Sequence, residues 1–195
     1  MQEYISWTSW TTPKELREVP SAGSPAPDVP SLDLPKDGRP VVLAFLRHAG
    51  CPFAEKTYLD LREVAKEHRD IDFMAVSHSS GTATSTWLKS LPQAGSKPGN
   101  LRTVVDAESY AAFGLGPSSF AHVLSPAGLY EVWRLGQQEG IWNRPTESGS
   151  RWQTSGFFAI DSEGIVRWGR AARRADDIPD FEDAVEAVEQ GSRKS

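Results

Sequence analysis

Two apolar runs, "VVLAFLR" at 41–47 and "IDFMAVS" at 71–77, stand one helix apart, and this spacing constrains the chain more than any other feature. Each run has the length of a strand and is apolar on both faces, the pattern of a strand buried from both sides in a parallel-type sheet. Between them Ala54, Tyr58, Leu61 and Ala65 recur at helical spacing, with Lys56, Asp60, Glu63 and Glu67 on other faces. That predicts an amphipathic helix starting near Cys51. Strand, helix and strand in this order predict a parallel pair joined by a right-handed crossover.

The remaining chain extends this unit. "GTATSTWLKSL" reads as a short helix, "LRTVVD" as a short strand and "ESYAAFGLG" as a helix-like turn. Residues 117–154, rich in Gly, Pro, Ser and Trp, read as a long aperiodic insertion, which in a compact domain is functional or packed over the core. "GFFAID", the turn "SEG" and "IVRWGR" form a predicted β-hairpin. A last helix is predicted from about Asp177, with Pro179 in its first turn and Phe181, Ala184, Val185 and Val188 on its buried face. Ahead of all this, the proline-rich residues 1–39 suit neither a long helix nor a central strand and read as an extended arm. Trp7 and Trp10 are costly to leave in water, so the arm is expected to lie on the domain or on a partner. The organisation is an arm at 1–39, one domain at 40–191 and a tail at 192–195, with no internal repeat.

Composition narrows the function classes. Lys and Arg number 21 against 26 Asp and Glu, with both signs interspersed, which argues against nucleic acid or an anionic membrane as the main partner. The one cysteine cannot form an internal disulfide, no stretch reads as a signal peptide, and no apolar run approaches the ~20 residues of a membrane span. A soluble protein of a reducing compartment, cytoplasmic, is the expectation. His48, His68, His78 and His122 show no zinc-like spacing, and no metal or bound cofactor is expected.

Chemistry centres on "FLRHAGCPFAEK", where the first predicted strand gives way to the first helix. A cysteine just ahead of a helix faces unpaired N–H groups and the positive end of the helix dipole, both of which favour thiolate. Pro52 suits the first helical position and so places Cys51 at the cap. Arg47, four residues before Cys51, is a permanent cation read as partly exposed, with a surface ion-pair role as the alternative, and His48 is a candidate second cation, base or hydrogen-bond donor to a peroxide oxygen. The competing reading is an inert packed thiol, because free cysteine is among the most buried residue types. Arg151, Arg167 and Arg170 are candidates for a second peroxide-binding arginine, with solvated surface positions as the alternative. Trp133, Trp142 and Trp152 read either as an aromatic wall over the thiol or as pins holding the insertion to the core. Pro117 reads as an ordinary Gly-Pro turn, with a cis-proline as the alternative.

The element order, with the cysteine between the first core strand and its helix, matches a thioredoxin-like fold: a central mixed sheet flanked by helices. "FLRHAGCPFAEKTY" together with "GFFAIDSEGIVRWGRAARRADDIPDFEDAVEAV" resembles the peroxiredoxin-like branch of the AhpC/TSA antioxidant family, particularly its fungal members. The resemblance implies thiol redox chemistry at Cys51. The family's Pro-x-x-x-Thr-x-x-Cys signature falls here on Ala44 and His48, and the second position of a Cys-x-x-Cys motif falls on Ala54. With no resolving thiol, the expected activity is one-cysteine reduction of a hydroperoxide, with an external thiol such as glutathione or thioredoxin as reductant. Cys51, His48 and Arg47 are the expected catalytic set, and Pro52, Phe53, Trp142, Arg151 and Trp152 the expected substrate contacts. "CPFA" also resembles the start of glutaredoxin sites, which keeps a monothiol glutathione-dependent transferase or reductase open. A non-catalytic module that binds a partner through the arm and insertion is the reading from another class. The chain is compatible with a homodimer.

Overall fold

The computed structural model describes Trp7 and residues 15–35, 38–145 and 148–192. The predicted strand–helix–strand unit is present as β1 (Val41–Phe45), α1 (Pro52–Glu67) and β2 (Asp72–Ser77). It is followed by α2 (Gly81–Ser90), β3 (Leu101–Val105), the short helices α3 (Ser109–Ala112) and α4 (Phe120–Val123), then α5 (Pro126–Glu139), β4 (Gly156–Ile160), β5 (Val166–Ala171) and α6 (Phe181–Ser192). The sheet order is β3-β2-β1-β4-β5, with β1, β2 and β3 parallel and β4 antiparallel to both β1 and β5. This is the thioredoxin-like arrangement.

Alternation along β1 divides the core in two. Val42, Ala44 and Leu46 face one layer with α1 and α6, while Val41, Leu43 and Phe45 face the other with Leu32, Tyr110 and Phe113. The centre of the sheet is therefore covered on both faces, which is why β1, β2 and β4 read as apolar runs. Tyr110 locks the strand ends together, its hydroxyl lying 2.7 Å from the Leu46 carbonyl and 2.8 Å from that of Val76.

Two expectations are corrected. Residues 117–154 are not aperiodic, because they contain α5, capped by Ser125 Oγ accepting from the Gly128 N–H and ended by Gly140 at φ 71°. Ser-Pro at its start and Gly at its end are ordinary helix punctuation, outweighed in the sequence by the density of Gly and Trp. The last helix begins at Phe181 rather than near Asp177, because the carboxylate of Asp177 binds Arg170 and the Arg173 N–H and so holds the chain in a loop.

The arm lies on the domain. The Gly23 and Ala26 N–H groups donate to Val166 and Gly164 on the β4–β5 hairpin, and Leu32 is fully buried. Trp7 meets Trp152 edge-on at 5.9 Å, and its carbonyl accepts the Trp152 indole N–H at 2.8 Å. Trp10 and residues 193–195 lie outside the described residues.

Candidate functional site

The site forms at the carboxyl ends of β1 and β2, where open α/β sheets bring loops and helix N-termini together. His48 through Cys51 make a tight turn in which the Cys51 N–H donates to the His48 carbonyl at 3.1 Å. Gly50 takes φ 95°, a conformation that a side chain would oppose. Cys51 is the N-cap of α1: its carbonyl accepts the Glu55 N–H at 3.1 Å, Pro52 is the first helical residue, and the cysteine side chain makes no capping bond. The thiol is thus beside the unpaired N–H groups of the first turn and is not committed to any of them. It is also 5% exposed and packs in the same layer as Ala49, Phe53 and Trp87.

Two segments close over the turn. In the first, the Arg144 N–H donates to the Gly50 carbonyl at 2.9 Å, and the Arg144 guanidinium grips Glu55 through two bonds of 2.7 and 2.8 Å. Glu55 is 1% exposed. A cavity of about 300 Å³, lined by Ala49, Trp87, Arg144 and Pro145 among others, opens beside this pair. In the second segment, Ser79 Oγ accepts the Ala49 N–H at 3.0 Å and donates to the Ser148 carbonyl at 3.1 Å. Gly149, at φ 89°, then passes so close that a Cβ there would sit 2.5 Å from Ser79 Oγ and 3.1 Å from both His48 and His78.

Arg47 is not the partly exposed cation the sequence suggested. It is 4% exposed, and one of its donors, Nη2, reaches the Arg151 carbonyl at 2.6 Å. His48 is buried, and burial together with the charges of Arg47 and Arg151 pushes its pKa well below the usual range. It is a neutral imidazole near pH 7, so the role of a second cation is corrected; a hydrogen-bonding role fits a neutral ring. Burial likewise brings His78 to about 4, although its bond with Ser150 opposes the shift.

The other predicted contacts disperse. Pro52 and Phe53 are buried in the first turn of α1. Trp152 is buried against Trp7, and Arg151 is half-buried with its guanidinium 4.9 Å above the Trp7 ring, so Arg151 is not the solvated arginine offered as the alternative. Trp142 is 45% exposed and lies on Gly136 of α5, where any side chain would overlap its ring. Trp133 is exposed on α5 beside Tyr130. Arg167 binds Asp161 and Arg170 binds Asp177, which commits both to structural ion pairs. Pro117 is trans and pairs with Gln153 in an isolated bridge.

Sequence reasoning missed Glu55, Ser79, His78, Arg144 and Gly149 as parts of the site. Only Glu55 carried a local signal, since it lies one turn after Cys51 on the helix. No helix among the described residues is long and apolar enough to cross a membrane.

A scan against protein-family models and a search of curated proteins gave no match. Among solved structures, the chain is similar to the peroxiredoxin-like protein from Aquifex aeolicus at 16% identity, covering 91% of this chain and 88% of that one with a TM-score of 0.54. It is similar to the thiol peroxidase from Chromobacterium violaceum at 12% identity, covering 97% and 98% with a TM-score of 0.56. The yeast mitochondrial 1-Cys peroxiredoxin, described with a thiol resolving mechanism via glutathione/thioredoxin systems, shares 15% identity over 89% and 78% with a TM-score of 0.54. These likenesses establish a thioredoxin-like fold over nearly the whole chain.

Proposed function

We propose that this chain is a one-cysteine, thiol-dependent oxidoreductase of the peroxiredoxin-like branch, reducing a hydroperoxide at Cys51. The observation that carries the reading is the Cys51 side chain at the N-cap of a 16-residue helix, left without a capping bond. The Cys51 thiolate attacks one peroxide oxygen, the O–O bond breaks, and the departing alkoxide takes a proton to become an alcohol. Sulfur is oxidised to sulfenic acid. An external thiol then condenses with the sulfenic acid, releasing water and forming a mixed disulfide, and a second thiol exchanges with it to regenerate Cys51. Glutathione or thioredoxin is the proposed reductant, in keeping with the words used of the yeast 1-Cys protein. Neutral His48, in the position of the family's threonine, is proposed to hydrogen-bond the peroxide.

One observation favours a second reading. Cys51 packs in the apolar layer with Phe53 and Trp87, as an inert thiol of a partner-binding module would. Substoichiometric hydroperoxide followed by dimedone separates the two by intact mass. One dimedone adduct on wild type, and none on Cys51→Ser, is the expected result. Peroxide consumption undiminished in Cys51→Ser would end the thiol mechanism, and a thiol that neither traps nor consumes peroxide would leave the packed-module reading. A glutathione mixed disulfide formed without peroxide would instead indicate the transferase alternative.

A further inference from the structure

Seven buried side-chain nitrogen or oxygen atoms among the described residues lack a hydrogen-bond partner, and five of them belong to four residues: Arg47 Nε and Nη1, His48 Nδ1, His78 Nδ1 and His122 Nε2. Orphaned buried polar atoms are costly and rare, so such a concentration points to a missing ligand. Arg47, His48 and His78 form one neighbourhood. Arg47 adjoins His48 in the chain, and its charge acts on the rings of His48 and His78. His48 and His78 both approach Gly149, and the same stretch of loop supplies Arg151 O to Arg47 and Ser150 to His78.

The donors can be assigned. Arg47 has five N–H groups, of which the three on Nε and Nη1 are unpartnered. His78 Nε2 lies 3.1 Å from the Ser150 N–H and 3.2 Å from the Ser150 carbonyl, so Ser150 partners this nitrogen in either tautomer. The Leu46 carbonyl also raises the basicity of that ring and accepts the Tyr110 hydroxyl. Arg47 has no carboxylate partner among the described residues, whereas the buried carboxylates of Glu55, Asp161 and Asp176 are each paired with another arginine. A cation in this position also opposes a metal ion. Among the described residues, ligand atoms suited to a metal converge only at Glu67, His68 and Glu182, at the C-terminal end of α1.

We propose that Arg47, His48 and His78 form a binding site for a small monocarboxylate that inserts beneath the 149–151 loop. Arg47 brings one guanidinium charge without a carboxylate partner, while Arg151, whose charge also reaches His48, is stacked over Trp7; a single negative charge matches this better than a dianion, and the two oxygens of a carboxylate suit the unpartnered N–H groups of Arg47 Nε and Nη1. The site shares Arg47 and His48 with the proposed peroxide chemistry, but binding there does not require the thiol.

Thermal unfolding with formate replacing chloride at constant ionic strength tests this. Raising formate to about 100 mM should lift the melting temperature of wild type by several degrees, and that of Cys51→Ser equally, whatever the fate of the thiol reading. Sulfate should do less. Arg47→Met should lose the response, and in chloride it should melt at or above wild type, because it removes an unpaired buried cation. No formate response in wild type, or an equal response in Arg47→Met, overturns the proposal. If Arg47→Met does not fold, NMR of wild type decides: formate must shift the Arg47 Nε–H and His78 ring signals, and their constancy overturns the site.

Discussion

Arg144→Met removes the partner of the most deeply buried carboxylate at the site. Glu55 is 1% exposed and receives two bonds from Arg144, at 2.7 and 2.8 Å. Breaking a buried ion pair by deleting one member typically costs about 3–5 kcal/mol, since the remaining charge stays buried without compensation. The Arg144 side chain is 34% exposed, so water reaches part of the pair and the lower end, about 3 kcal/mol, is appropriate. For a chain of this size each kcal/mol moves the melting temperature by roughly 2–4 °C, giving a fall of about 6–12 °C. Glu55→Gln combined with Arg144→Met should recover much of that loss, because the uncompensated charge is gone. The pair also fastens residues 141–145 to the turn that holds Cys51, so labelling of Cys51 by a thiol reagent should accelerate in Arg144→Met. Calorimetry of the two single variants and the double variant, with labelling rates, measures both effects. A loss below about 1 kcal/mol in Arg144→Met, or a double variant no more stable than the single, would refute the claim that Glu55 depends on this partner.

Two further outcomes follow from the same geometry. His78 is held near 4 in the folded chain against 6.5 for a free histidine, so between those values the unfolded chain binds more protons. Its contribution is complete above pH 6.5 and is lost as pH falls toward 4, by up to about 3 kcal/mol, and His78→Gln should flatten that part of the pH–stability curve measured by urea unfolding. Gly149→Ala should cost about 2 kcal/mol or more, from the positive φ together with a Cβ 2.5 Å from Ser79 Oγ, while Gly140→Ala, where a Cβ meets nothing, should cost only the φ penalty. Equal melting temperatures for the two alanine variants would show that the close approach at Gly149 relaxes freely.

The fold was readable because its core strands are apolar on both faces and its first helix repeats on one face. These are local periodicities, and burial on both sides of β1 leaves little freedom in them. The insertion was misread for an equally physical reason. α5 exposes Leu129, Tyr130 and Trp133 while burying Leu135 with Gly128 and Gly136, so its buried face carries one large apolar side chain and its exposed face three, the reverse of the usual signal.

Legibility at the site ended where contacts became long-range. Cys51, Gly50 and Pro52 are neighbours in sequence, and their roles in a turn and a cap follow from backbone conformation alone. Glu55 and Arg144 are 89 residues apart, Arg47 and the Arg151 carbonyl 104. Such pairs leave no trace in spacing, and a buried arginine looks the same in sequence as a solvated one. The consequence is specific for Arg47. Read from sequence, it is a screened charge beside a thiol; read from the structure, it is a desolvated guanidinium with three unpartnered N–H groups, and its charge bears on two neutral histidines. A charge in that setting is screened far less than a solvated one, so the proposed response to a carboxylate should trace to Arg47 and not to the exposed arginines.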